Sequence, residues 1–455
     1  MPGPSALLLR NCRVLDASAG TLSSEPLAVL VVNNRIAAVD RPWSLRITER
    51  LGQAAAAAGA AGAAAEAAAS EAAAALMAGT VRQPGKCGPW TVQDIDCRGL
   101  TLMPGLCDAH VHVTACSANL PGLLSLPESL VTARAARVLE GMLLRGFTTV
   151  RDAGGADWGL AQAVEEGTIP GPRLLFTGHA LSQTGGHGDM RGKGEDFCAC
   201  GAALRGIGRV CDGVPEVRRA ARDELRKGAH CIKIMASGGV ASPTDRLTNT
   251  QFALEELRAI VEEAEACGTY VCAHAYTAAA IKRAVECGVR SIEHGNCLDE
   301  AAAELMAQRG TYLVPTTVTY QQLLEGGAAA GMAPELVAKV GSLVQQGLES
   351  MRLAHSKGIP MCYGSDLLGE LHAHQLGEFA LRARVLPPVE LVRAATVNCA
   401  RLFMQDHEIG RVEEGYLADL LLVEGNPLED ISVLQQPEQR LKLIVKGGRL
   451  VKDAA

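Results

Sequence analysis

Between residues 100 and 402 one short unit recurs, and it restricts the possible folds more than any other feature. A helical stretch ends in a glycine and an apolar strand follows at once. The joints are Gly146 before residues 147–150, Gly228 before 231–235, Gly268 before 270–273, Gly288 before 289–293, Gly310 before 311–316 and Gly358 before 359–364. Glycine just past a helix end closes it in the left-handed conformation, where other residues meet a Cβ clash. An opening strand over 101–112 and another over 173–177 bring the strands to eight. A helix between successive strands makes neighbours parallel. Eight such units in about 300 residues predict an α/β chain built on a closed (β/α)8 TIM barrel. An open doubly wound sheet is the alternative. Polar residues gather at the C-terminal ends of six of the eight strands, which suits a barrel mouth better.

Both chain ends read as β. Residues 7–16 and 27–40 look like strands with Asn33-Asn34 as a hairpin turn, and 91–97 is strand-like. Residues 418–424 and 441–445 are apolar runs, and Gly447-Gly448 turns into 449–452. The simplest assembly is a small β-sandwich domain from residues 1–103 and 403–455, with the barrel over 104–402. Residues 54–78 interrupt this domain with nearly pure alanine. Alanine favours helix, but so uniform a run shows no amphipathic face. The expectation is a surface insertion, part helix or disordered, with no role.

The run Pro104-Gly105-Leu106-Cys107-Asp108-Ala109-His110-Val111-His112-Val113 ends an apolar strand with two histidines at i and i+2. Alternate strand residues share a face, so both imidazoles can reach one ion. Cys107, three residues from His110, reads as a core cysteine on the other face. Strand ends further along contribute Asp152, Lys233, His274, His294 and Asp366. Each has a plainer reading as a hydrogen-bonded loop residue, and Asp366 as a helix cap. Lys233 is harder to dismiss. An amine inside Cys231-Ile232-Lys233-Ile234-Met235 is costly to bury unless its charge is paired or removed. One resolution is a carbamate, formed when neutral lysine takes up carbon dioxide.

Taken in strand order, these residues resemble the amidohydrolase superfamily in its binuclear form. The motifs are Pro104-Gly105, Asp108-Ala109-His110-Val111-His112, Lys233, His274, His294, Gly364-Ser365-Asp366 and the closing Gly415-Tyr416-Leu417-Ala418-Asp419-Leu420. Gly185-Gly186-His187-Gly188-Asp189, Lys233-Ile234-Met235-Ala236-Ser237-Gly238-Gly239 and Ala273-His274-Ala275-Tyr276 point to the imidazolonepropionase-like group, with its Xaa-Pro dipeptidases and ochratoxinase-like amidases. The resemblance implies that His110, His112 and Asp366 hold one divalent metal ion and His274 and His294 a second. Carboxylated Lys233, its carbamate derived from CO2, bridges them, as does a hydroxide. Zinc is the first expectation, with manganese or cobalt as alternatives. Asp366 then takes the proton from the nucleophile and returns it to the leaving nitrogen. His187 and Tyr276 are implied to meet the substrate's carboxylate or the developing oxyanion. Arg151 and Tyr320 are further substrate-contact candidates, and His372 and His374 weaker ones. Arg151 has the alternative of pairing with Asp152.

The resulting expectation is a two-metal hydrolase of an amide bond beside a free carboxylate, as in a dipeptide or N-acyl amino acid. A cyclic-amide hydrolase and a lactone or carbamate hydrolase stay open, as does a non-catalytic scaffold. Aromatic residues are only 3% and the net charge is −7, so neither base stacking nor attraction to an anionic membrane is expected. The partner is expected to be a small amide substrate, with no nucleic acid, no membrane and a homo-oligomeric state. The 15 cysteines without a secretory pattern suggest reduced thiols and a cytoplasmic location. The close pair Cys198 and Cys200 has no second pair to complete a zinc knuckle.

Overall fold

All six joint glycines adopt a positive φ, from 64° at Gly310 to 97° at Gly288, so each helix closes in a left-handed turn directly before a strand. The computed structural model describes residues 4–41, 46–57, 63–79, 81, 84–87, 89–196 and 206–455. Cys198 and Cys200 lie outside the described residues. Among the described residues every cysteine is a free thiol, and no helix is long and apolar enough to cross a membrane. The chain divides into two units, Cys107–Leu402 and Met1–Leu106 with Phe403–Ala455.

The larger unit is α/β. Strands Leu106–Val111, Phe147–Asp152 and Arg173–Phe176 form one sheet. Ala180–Ser182, Ile232–Met235, Val271–Thr277, Ser291–Cys297 and Tyr312–Val314 pair in parallel in a second. Backbone hydrogen bonds join the two: His230 N donates to Phe176 O at 2.8 Å. On the other side Cys362 N donates to Leu313 O at 2.9 Å and Ala109 N to Tyr363 O at 2.7 Å, which leads from the last segment back to the first strand. The helices between show why they dock. Leu254–Ala266 buries Leu257, Ile260, Val261 and Ala264, one stripe at helical spacing, and Glu256 accepts from Ala253 N at its start.

The opening strand differs from expectation. The run over 101–112 divides at Gly105. Thr101–Pro104 pairs antiparallel with Leu420–Val423 in the smaller unit, while Leu106–Val111 pairs in the larger one. Both halves are buried throughout, so the apolar pattern carries no mark of the change of partner.

The smaller unit is organised by Ser5–Asp16. Its first half pairs with Leu27–Val32 and Trp90–Asp96, and its second half with Thr101–Pro104. Leu27–Val32 and Arg35–Asp40 form the hairpin, turning at Asn33 with φ 55°. Leu7, Leu9, Val29 and Val31 share one core with Leu420, Leu422 and Leu443 from the chain's other end.

The alanine run is a correction. Helices Ile47–Ala57 and Ala63–Met77 cover much of it, with residues 58–62 outside the described set. Ala69, Ala72, Ala73 and Leu76 are buried in one core with Leu8, Leu30, Trp90 and Val92. Those positions are spaced 3, 4 and 7 from the first, a true helical stripe, while Glu66, Ser70 and Glu71 are exposed. Because alanine also fills the exposed positions, the buried face does not stand out in the sequence.

Candidate metal centre

His110, His112, Lys233, His274 and His294 come from four strands and Asp366 from the segment after Tyr363, and all line one cavity in the larger unit. The ligand atoms of His110, His112 and Asp366 lie within 4.8 Å of one another. Asp366 Oδ1 is 3.5 Å from His110 Nε2 and 3.4 Å from His112 Nε2, and its Oδ2 is 3.9 Å from His294 Nδ1. His294 forms an edge contact with His274, ring centres 4.7 Å apart. His294 and Asp366 have φ of 73° and 51°, in the left-handed region that non-glycine residues rarely occupy. A regular strand would turn Glu293 and His294 to opposite faces. The turned backbone at His294 lets both approach His110.

Each imidazole has one nitrogen tied by a neighbour, and in His110 and His112 the other nitrogen faces Asp366. His110 Nδ1 donates to Glu293 Oε2 at 2.7 Å, and His112 Nδ1 donates to Gly154 O at 2.8 Å. His274 Nε2 donates to Gly238 O at 3.0 Å, and His294 Nδ1 lies 2.7 Å from Thr316 Oγ1. Such outer hydrogen bonds fix the tautomer and orientation that metal ligation needs. Burial, then the Lys233 charge, pushes His112 down to about 3. Burial also holds His110, His274 and His294 well below the usual imidazole range, so the rings are neutral, which is the ligating form. Burial raises Asp366 to about 7.

Lys233 is 1% exposed, and among the described residues its Nζ has no hydrogen-bond or ion-pair partner. A lone ammonium among four imidazoles is an unstable arrangement. Four imidazoles, one carboxylate and an unpaired buried amine form a donor set that suits two divalent ions with a carboxylated lysine between them. The residues present therefore fit the implied group.

His187 stacks on His274 with ring centres 4.2 Å apart. Its Nδ1 lies 2.7 Å from Ser242 Oγ, and Ser242 in turn bonds Asp245. Because Asp245 accepts the serine proton, Ser242 accepts from His187 Nδ1, and His187 presents Nε2 to the cavity. Gln251 and Lys339 hold Asp245 from behind. Gly239 makes room for the ring: a Cβ there would meet His187 Cε1 at 2.1 Å. Tyr320 OH donates to Tyr276 OH at 2.9 Å, leaving the Tyr276 proton for the cavity, which both residues line.

Arg151 is a correction. It is fully buried and does not line the cavity. It donates to Glu293 Oε1 at 2.8 Å and to Ala109 O at 2.7 Å, so it is engaged in the interior, away from the cavity that would take substrate. His372 is buried but outside the cavity lining, and His374 is exposed. Cys107 is buried and likewise absent from the lining.

Three carboxylates escaped the sequence analysis as positioning groups. Glu293 links His110 to Arg151. Asp108 accepts from His110 N, Ser365 N, Ser365 Oγ and Gln375 Nε2, tying the first strand to the segment that carries Asp366. Asp152 accepts from Val113, Gly154 and Ala156 backbone N–H groups and shapes the loop after His112. Burial raises Asp108 to about 6 and Asp152 to about 7. The available signal was an acid inside an apolar strand, the same cue that singled out Lys233.

A family model described as the amidohydrolase family matches residues 101–450. An ochratoxinase from Aspergillus niger is 38% identical over 366 residues, covering 77% of this chain and 75% of that protein. The solved structure of a prolidase complexed with N-methylphosphonate-L-proline matches with a TM-score of 0.86 at 46% identity, covering 98% of this chain and 100% of that one. A Xaa-Pro dipeptidase with methionine bound in its active site matches with a TM-score of 0.78 at 27% identity, covering 98% of this chain and 100% of that one.

Proposed function

The chain belongs to the amidohydrolase family, whose neighbours share the TIM-barrel fold, and is a hydrolase of carbon–nitrogen bonds; from that premise we propose that it cleaves the amide of a dipeptide or N-acyl amino acid with a free carboxylate. One observation carries this reading. The cavity that holds the metal-centre residues also has an apolar wall that includes Leu120, Val240, Leu323, Met332 and Leu368, with His187, Thr319 and the Tyr276–Tyr320 pair as its other polar groups. An apolar side chain or ring fits that wall, and a carboxylate or oxyanion fits the proton that Tyr276 presents. The names of the related prolidase and ochratoxinase agree with such a substrate.

His110, His112 and Asp366 would hold one divalent ion, His274 and His294 the other, and carboxylated Lys233 would join them. Zinc is the first choice, with manganese or cobalt also suited to the mixed nitrogen and oxygen donors. Two bound ions supply a water of lowered pKa and a Lewis acid for the scissile carbonyl. The carbamate forms when neutral Lys233 Nζ attacks carbon dioxide, making a C–N bond and releasing one proton. Asp366 accepts the proton lost in the attack on the amide and delivers it to the leaving nitrogen. Glu293, Gly154, Gly238 and Thr316 hold the four imidazoles in place throughout. His187, fixed by Ser242 and Asp245, meets the substrate's carboxylate or the developing oxyanion.

The test is hydrolysis of a panel of dipeptides and N-acyl amino acids, with hydantoins and lactones beside them. Turnover of open-chain amides with an apolar residue and a free carboxylate is expected. Turnover of hydantoins or lactones alone overturns the substrate assignment.

A further inference from the structure

Outside the catalytic cavity the larger unit has a cleft of about 590 Å³ between helix Glu128–Leu144 and the segment after Asp366. Arg134, Arg137 and Arg145 line it, three and eight residues apart along one helix face. This is a concentration of positive charge in a chain whose net charge is −7. Arg134 and Arg137 are exposed, and among the described residues neither has a carboxylate partner. Arg134 touches only Cys116 Sγ, at 4.0 Å. Arg145 is anchored, donating Nε and Nη2 to Gln375 Oε1 at 3.1 and 3.0 Å. Gly141 keeps that guanidinium close to the helix, since a Cβ there would meet Arg145 Nη1 at 3.1 Å. One acid, the exposed Glu370, lines the same cleft.

His372 also lines the cleft and is only 5% exposed. Its ring nitrogens are closed off from solvent and lie against the backbone of Ala115 and His112, so the ring packs against the cleft and offers no nitrogen to it.

We propose that this cleft is a binding site for a phosphate-bearing anion, held by Arg134, Arg137 and Arg145. Guanidinium groups match the paired oxygens of phosphate, and several of them converging on one cleft suit a dianion better than a single carboxylate. A volume of this size accommodates a small organic phosphate. Such a ligand would rest on the two segments that follow His112 and Asp366 in the chain, because Ser117 and Gly369 also line the cleft.

Isothermal titration of the metal-loaded full chain with glycerol 3-phosphate and with inorganic phosphate, in parallel, tests this. Saturable binding of one anion per chain is expected, weakened at least tenfold in the double variant Arg134→Ala, Arg137→Ala. Tighter binding of glycerol 3-phosphate identifies an organic phosphate as the ligand, and equal or tighter binding of inorganic phosphate identifies the free anion. Both substituted positions are exposed and outside the catalytic cavity, so hydrolysis without added anion should stay at the wild-type rate and report correct folding. Arg137→Glu gives a second reading, with an expected loss larger than that of Arg137→Ala. No saturable binding by the wild type overturns the proposal. So does unchanged affinity in the double variant, which would place the anion on the metal centre instead.

Discussion

His110 Nδ1 lies 2.7 Å from Glu293 Oε2, and the same carboxylate accepts from Arg151 through Oε1 at 2.8 Å. Three fully buried groups from three strands thus form one chain: a guanidinium, a carboxylate and an imidazole whose other nitrogen faces Asp366. The carboxylate fixes which nitrogen of His110 is free for a metal, and the guanidinium holds that carboxylate in place in a dry interior.

Glu293→Gln should therefore act on metal binding. An amide can no longer accept from both His110 and Arg151 as an anion does, and it leaves a buried cation poorly paired. Metal affinity or activity should fall by about 10–100-fold, as for other outer partners of ligating histidines. Metal analysis of dialysed protein, read with the thermal midpoint, checks this; full metal content at wild-type affinity would remove Glu293 from the site.

Lys233→Ala should lower the metal content per chain, because the proposed bridge is gone. Short carboxylates such as acetate or propionate should restore part of both metal and turnover by occupying the vacated volume. Unchanged occupancy in the variant would show that the amine is not part of the centre.

Asp366→Asn should still fill with metal at saturating concentration, with weakened affinity, and lose turnover by about 10²–10⁴-fold, the usual worth of a positioned proton-transfer group. A pH effect accompanies it. Burial raises this carboxyl to about 7 before metal arrives, so below that pH it is protonated and must release a proton to ligate. Metal uptake by the stripped wild-type chain should weaken as pH falls below about 7, and this dependence should flatten in the asparagine variant. Metal titrations at several pH values decide it.

Gly239→Ala places a methyl group 2.1 Å from His187 Cε1, too close for the ring to stay where it is. Turnover should drop at least tenfold while the metal content holds, since His187 is not among the proposed ligands. Wild-type kinetics in this variant would show that His187 has no part in the reaction.

Ala72→Asp tests the alanine helix. Ala72 is fully buried among Leu8, Leu30 and Trp90, and an unpaired carboxylate there should cost about 3 kcal/mol or more. The unfolding midpoint should fall by several degrees or the protein should become insoluble. Ala74→Asp, at an exposed position of the same helix, should behave like the wild type. Equal stability of the two variants would return the helix to the status of a loose insertion.

The residues of the centre were legible before any fold was known because each breaks a local rule. A lysine in an apolar strand, histidines at its end and a Gly-Ser-Asp after another are chemical anomalies that periodicity exposes. Glu293 broke the same rule but stands beside His294, and regular strand alternation would turn the two to opposite faces. Only the positive φ at His294 removes that separation. Arg151 misled for the converse reason: a charge at a strand end reads as reaching the barrel mouth, and nothing local tells that its partner lies on the distant strand Ser291–Cys297.

The order of residues alone determined the helix–glycine–strand repeat, the hairpin at Asn33-Asn34 and the set of side chains able to bind metal, since these depend on neighbours a few positions apart. Tertiary structure decided the division of the run at Gly105, the buried face of the alanine helix, the Glu293–Arg151 pair and the neighbourhood of His187. Each of those depends on which distant backbone comes alongside. Burial, tautomer and pairing are properties of surroundings, and a side chain acquires its surroundings only when the chain has folded.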